Sequence, residues 1–134
     1  MLALLGRVDL FEDLSKADRQ KILNASKEIS FRKGEDVVVQ DRSGGRFFLI
    51  IEGEAVVTID GRRRSHFGPG DYFGEMSLID GQPRSATVTA KTDLSTFTIA
   101  SFNFRPLIRE HPSLAQHLLV ALCRRVRSAD RSAF

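Results

Sequence analysis

The stretch that decides the reading is Phe73-Gly74-Glu75-Met76-Ser77-Leu78, followed after a short spacer by Pro83-Arg84-Ser85-Ala86-Thr87-Val88. Gly74 lets backbone come close to a ligand, and the residues after it suit a short helical turn whose N–H groups point one way. Glu75 adds one carboxylate and Arg84 one guanidinium. These are the parts that a ribose phosphate needs.

Outward from this stretch the chain reads as short extended runs cut by glycine-rich turns. Strands are expected at Ile29 to Phe31, Asp36 to Val39, Phe47 to Ile51, Ala55 to Ile59, Thr87 to Ala90 and Ser95 to Ile99. Spacing of this kind indicates a β-sandwich or barrel. Phe47-Phe48-Leu49-Ile50-Ile51 is continuously apolar, as expected of a core strand covered on both faces. Asp60-Gly61 suits a type I′ hairpin turn, which puts Arg62, Arg63 and Arg64 at an exposed tip as solvated surface. The two ends read as helices. Ser15 and Asp18 make a start like a capping box for a helix from about Lys16 to Ala25, with Ile22 and Leu23 at helical spacing. Ser101 is expected to cap a helix carrying Phe104, Leu107 and Ile108 and ending at His111. Pro112 suits the first turn of another helix, in which Leu118, Leu119, Leu122 and Val126 recur at three- and four-residue intervals.

Composition narrows the class. The 134 residues are one domain by length, and a hydrophobic content of 42% is enough to fill one core. The single Cys123 rules out an internal disulfide framework and any multi-cysteine metal or iron–sulfur site, which fits a reducing compartment. Gly6, Arg7 and Asp9 interrupt the apolar start long before a signal-peptide core or membrane span could form, so a soluble, cytoplasmic protein without membrane contact is expected. Net charge is +3, but 17 acidic residues are spread among 20 basic ones, so the surface is one of mixed charge. The cluster Arg124, Arg125, Arg127 and Arg131 comes with no zinc-finger or RNA-binding signature and leaves no room for a helix-turn-helix, so nucleic acid is not expected as a partner of this chain alone.

The quoted stretch resembles the phosphate-binding cassette of cyclic nucleotide-binding domains, those of the catabolite activator family and of the regulatory subunits of cAMP-dependent protein kinase. Their pattern is roughly Phe-Gly-Glu-x-Ala/Ser-Leu, a short spacer, then Pro-Arg-x-Ala-x-Val, and this chain matches every fixed position. Gly34, Gly45, Gly53, Gly68 and Gly70 also fall where that family's turns fall. The resemblance implies a mainly β fold with flanking helices: an eight-stranded antiparallel jelly-roll with an N-terminal helix and two C-terminal helices. Residues 1–134 would be a single domain, with the roll at about 28–100 and the C-terminal helices at about 101–130.

By the same resemblance, Arg84 neutralises the cyclic phosphate, a role that suits a planar fork of permanent charge. Glu75 accepts a hydrogen bond from the ribose 2′-hydroxyl, where a carboxylate serving the phosphate would repel it. Phe73 opens the cassette; Gly74, Met76 and Ser77 supply close backbone and N–H donors; Ser85 and Ala86 supply another N–H and a small side chain. Several cGMP-selective members carry threonine directly after the arginine, so Ser85 leans to cAMP as the ligand and leaves cGMP open. The base is met by the last helix, where Arg124, Arg127 and Ser128 are the candidates; for the two arginines a solvated or dimer-facing surface is the equal alternative.

Rival classes find less support. A metal-dependent cupin of similar fold needs clustered His and Glu ligands, and His66, His111 and His117 form no ligand set in the sequence. No nucleophile or carboxylate pair has catalytic context, and no water-activating base accompanies Glu75 and Arg84. The expectation is therefore a non-enzymatic cyclic nucleotide receptor domain with no metal or cofactor. The alternative is the sensory half of a transcription factor, channel or kinase. A second copy or a downstream protein is the expected partner, with Leu118, Leu122 and Val126 either packing on the roll or pairing between copies.

Overall fold

A computed structural model describes residues 11–12, 14–74 and 81–133, with the backbone alone at 121, 125 and 128–133. Helix α1 (Lys16–Ala25) comes first. It is followed by strands β1 (Lys27–Phe31), β2 (Asp36–Val38), β3 (Arg46–Glu52), β4 (Ala55–Ile59), β5 (Arg62–Phe67), β6 (Tyr72–Phe73), β7 (Thr87–Ala90) and β8 (Leu94–Ala100). Helices α2 (Ser101–Glu110) and α3 (Pro112–Ala133) close the order. The strands form two four-stranded antiparallel sheets, ordered β1-β8-β3-β6 and β2-β7-β4-β5, as expected of a jelly-roll.

The apolar run of β3 follows from its place between two cores. Phe48 and Ile50 face the second sheet, where they pack with Val57, Val88 and Ala90, and Phe73 of the adjoining β6 joins the same cluster. Phe47 and Leu49 point the other way, into a cluster built with Phe97, Ile99, Ile22, Phe104, Leu107, Leu114 and Leu118. One strand thus joins the interior of the roll to the layer of helices, and four consecutive residues are buried where a half-exposed strand would alternate. Thr96, wholly buried among them, donates its hydroxyl to the Ile29 carbonyl at 2.8 Å, which satisfies its polarity within the sheet.

Helix α1 has the expected bounds, and the Ser15 hydroxyl accepts the Asp18 N–H at 3.1 Å. Asp60 and Gly61 both have positive φ, 52° and 77°, as a type I′ turn requires. The arginines after it are exposed, but they run down β5 and are not confined to the tip, so this strand was missed: Arg62–His66 has no apolar alternation because its side chains are in solvent. Strand β6, two residues long, was also missed, being too short to show a period. The expected Ser101 cap is corrected as well. Ala100 is the N-cap residue, no side chain caps the helix, and Ser101 is its first residue, with its N–H given to the Gly45 carbonyl at 2.7 Å. Strand β8 runs straight into α2, so a carbonyl from the neighbouring loop takes the place of a capping hydroxyl.

Candidate functional site

Arg84 is the buried cation of the site. It follows Pro83 in the segment leading to β7, and only 7% of it is exposed. Burial of a guanidinium is costly unless hydrogen bonds meet it; the Arg46 carbonyl at the start of β3 does so, and the turn before it holds the Arg84 backbone. The Arg84 N–H donates to the Arg42 carbonyl at 2.8 Å, and the Arg84 carbonyl accepts from the Asp41 N–H at 2.8 Å. Nη2 of the side chain donates to the Arg46 carbonyl at 2.9 Å. The guanidinium carbon also lies 6.0 Å from the centre of the Phe48 ring, within cation–π range. Backbone and side chain of Arg84 are therefore held by this turn and the start of β3, and within the turn Asp41 adopts the left-handed conformation with φ of 69°.

Gly74 is brought against this arginine. Its φ of +96° is in the region that favours glycine, and a Cβ there would run into the Arg46 carbonyl and come within 2.8 Å of Nη1 of Arg84. Any side chain would thus disturb both the backbone and the guanidinium. Phe73, just before it, is 5% exposed and stacks between Phe48 and Phe67, with ring centres 5.1 and 5.3 Å away. This row of rings fixes the strand from which the cassette departs. Ser85 is exposed beside Arg84, and Ala86 is half-buried against the roll interior. Glu75, Met76 and Ser77 lie outside the described residues.

Among the other expected contacts, Arg124 and Arg127 sit on α3 with exposed side chains, and the side chain of Ser128 lies outside the described set. Of the apolar residues on that helix, Leu118 is buried against the sheet and Leu122 half-buried, but Val126 is 60% exposed. The three histidines are dispersed: His66 in β5, His111 between α2 and α3 with Nδ1 3.5 Å from a carboxylate oxygen of Asp18, and His117 in α3. Among the described residues, no helix is long and apolar enough to cross a membrane.

The turn at Asp41 and Arg42, together with Arg46 and the Phe48 ring, is the part of the site that sequence reasoning missed. Three of these residues act through backbone N–H or carbonyl groups, which every residue type carries, so side-chain identity gave no signal.

The sequence profile of the family described as the cyclic nucleotide-binding domain matches residues 28–111. A cyclic nucleotide-gated potassium channel of Mesorhizobium japonicum is 34% identical over 84% of this chain, which spans 31% of the channel. A cAMP-dependent protein kinase regulatory subunit of Emericella nidulans is also 34% identical, over 79% of this chain and 26% of that protein. Among solved structures, the catabolite activator protein of Thermus thermophilus superimposes with a TM-score of 0.84 at 29% identity, covering 93% of this chain and 61% of its own. The chain therefore spans about a third or less of the two sequence relatives and under two thirds of the structural one.

Proposed function

Because the chain belongs to the cyclic nucleotide-binding domain family, we propose that it is a receptor for cAMP that holds its ligand without turnover and signals through α3. The observation that carries this reading is Arg84, a buried permanent charge whose backbone is held by two hydrogen bonds to the turn before β3 and whose Nη2 donates to the Arg46 carbonyl. A guanidinium so held is preorganised for two oxygens of a single phosphate, and little side-chain entropy remains to be lost on binding. In this reading the remaining roles follow the cassette pattern. Gly74, Met76, Ser77 and Ser85 bring N–H groups to the phosphate, Ala86 leaves room for it, and Phe73 anchors the approach. Glu75 accepts from the ribose 2′-hydroxyl. Arg124, Arg127 and Ser128 meet the base as α3 closes.

Two observations favour cAMP over cGMP: serine at position 85, and the cAMP dependence in the name of the Emericella relative. No residue is given a catalytic role. The single roll of residues 28–100 with its helices is the whole receptor unit in this proposal, acting in the cytoplasm on a second copy or a downstream protein. A second reading makes the chain the sensory part of a longer transcription factor, channel or kinase; it is favoured by the share of the relatives that the chain spans. Calorimetric titration with cAMP, cGMP and 2′-deoxy-cAMP tests the ligand. Saturable binding in the order cAMP, cGMP is expected, with 2′-deoxy-cAMP weakened, and absence of heat with all three would remove the proposal.

A further inference from the structure

The roll has an opening that, among the described cassette residues, meets the nucleotide reading at Arg84 alone. Strand β1 is the edge of one sheet and β2 the edge of the other, so the two sheets part along that side. The cleft between them has a volume of about 550 Å³. Its walls are apolar: Ile29, Phe31 and Phe48 on one side, Val37 and Val39 on the other. All but Phe48 are only half-buried, so their apolar surface is left for an occupant. The rim is cationic, with Arg42 and Arg46 both exposed, and the buried Arg84 also borders the space. Among the described residues the one carboxylate of the lining is Asp36, which stands in β2 and accepts the Thr89 hydroxyl at 2.7 Å. Of the described cassette residues, Phe73, Gly74, Ser85 and Ala86 do not line the cleft.

We propose that this cleft is a second small-molecule site, separate from the nucleotide's, and that it takes an amphipathic monoanion with a planar carboxylate-like head and an apolar body. The head pairs with the Arg42 and Arg46 forks, whose geometry suits two acceptor oxygens. The body lies between the aromatic wall and the valines. A second negative charge on the ligand would face Asp36, which restricts the class to monoanions.

Decanoate is the probe, titrated without nucleotide into the 15N-labelled protein, with acetate at equal concentration as the control for ionic strength. Saturable amide shifts are expected at Ile29, Phe31, Val37, Val39 and Gly44, and none with acetate. Arg42→Glu, on the exposed rim, and Ile29→Trp, which fills the cleft, should each weaken decanoate by about two- to fivefold, the scale of one exposed ion pair or of lost apolar contact. Ile29→Trp should leave cAMP affinity unchanged. Because no nucleotide is present, failure here is distinct from failure of the cAMP reading. Shifts confined to the exposed apolar residues of α3, equal shifts with acetate, or wild-type affinity in a folded Arg42→Glu protein would overturn the proposal. So would competitive displacement of decanoate by cAMP, which would make the cleft part of the nucleotide site.

Discussion

At residue scale the site depends on one cation and one missing side chain. If Arg84 pairs with the phosphate, replacing it with Leu should weaken cAMP by about 2–5 kcal/mol, at least tenfold in affinity, as for truncating one member of a buried charge pair. The apolar wall of Phe48 accepts a leucine, so the variant should stay folded. Calorimetry beside thermal unfolding checks both halves, and unchanged cAMP affinity would remove Arg84 from the site. Gly74→Ala acts differently. It forces a Cβ against the Arg46 carbonyl at a φ of +96°, so the backbone must shift at the point where the cassette meets Arg84. A cost of about 1–3 kcal/mol is expected in urea unfolding, together with weaker cAMP binding. Glu75→Ala should weaken cAMP strongly and 2′-deoxy-cAMP hardly at all, because the hydroxyl partner is already gone from the second ligand. Equal weakening of both nucleotides would show that Glu75 does not read the ribose.

At the scale of elements, β3 and α1 show how local pattern becomes packing. Phe47 is 1% exposed and its ring stacks on Phe104 at 5.3 Å, so it ties the first sheet to α2. Phe47→Ala should destabilise the fold by about 3–5 kcal/mol, the usual cost of removing a fully buried phenylalanine. Its backbone neighbours Arg46 and Phe48 hold Arg84, so nucleotide binding should fall with stability. Ser15→Ala tests the other end of the scale. It removes the one hydroxyl that accepts the Asp18 N–H and should cost about 0.5–2 kcal/mol with no effect on cAMP affinity, as read by denaturant unfolding and calorimetry. The turn between β2 and β3 is itself an element with a function. It carries Asp41 and Arg42 and leads into Arg46 of β3, and through them the orientation of Arg84 follows the register of the two strands.

At the scale of the whole molecule the contrast is between a roll with two packed cores and a last helix that leaves them. Helix α3 is buried at Leu114 and Leu118, whereas Leu119 and Val126 are 62% and 60% exposed. Among the described side chains few apolar ones of its second half are buried, so that part should open readily in the free protein. If α3 transmits the signal, saturating cAMP should slow amide hydrogen exchange at residues 81–88 and about 119–127, with little change at Phe47–Ile51. Equal exchange at 119–127 with and without cAMP would mean that the helix is not the transmitting element.

Much of this was legible without coordinates. Helix α1, strands β4 and β7 and the Asp60-Gly61 turn have the bounds or conformation read from sequence, because capping hydroxyls, β-branched runs and glycine act over a few neighbouring residues. The cassette pattern was enough for the family, since its glycine, carboxylate and arginine stand at set positions along the chain. Tertiary structure alone decided how Arg84 is held. Its partners lie 38 or more residues away and contribute carbonyls and an N–H that carry no trace of residue identity. It also decided that the arginines of β5 form an edge strand in solvent and that the sheets part along β1 and β2. Each of these depends on which segments become neighbours in space, a matter of pairing and register between distant strands that local physics does not contain.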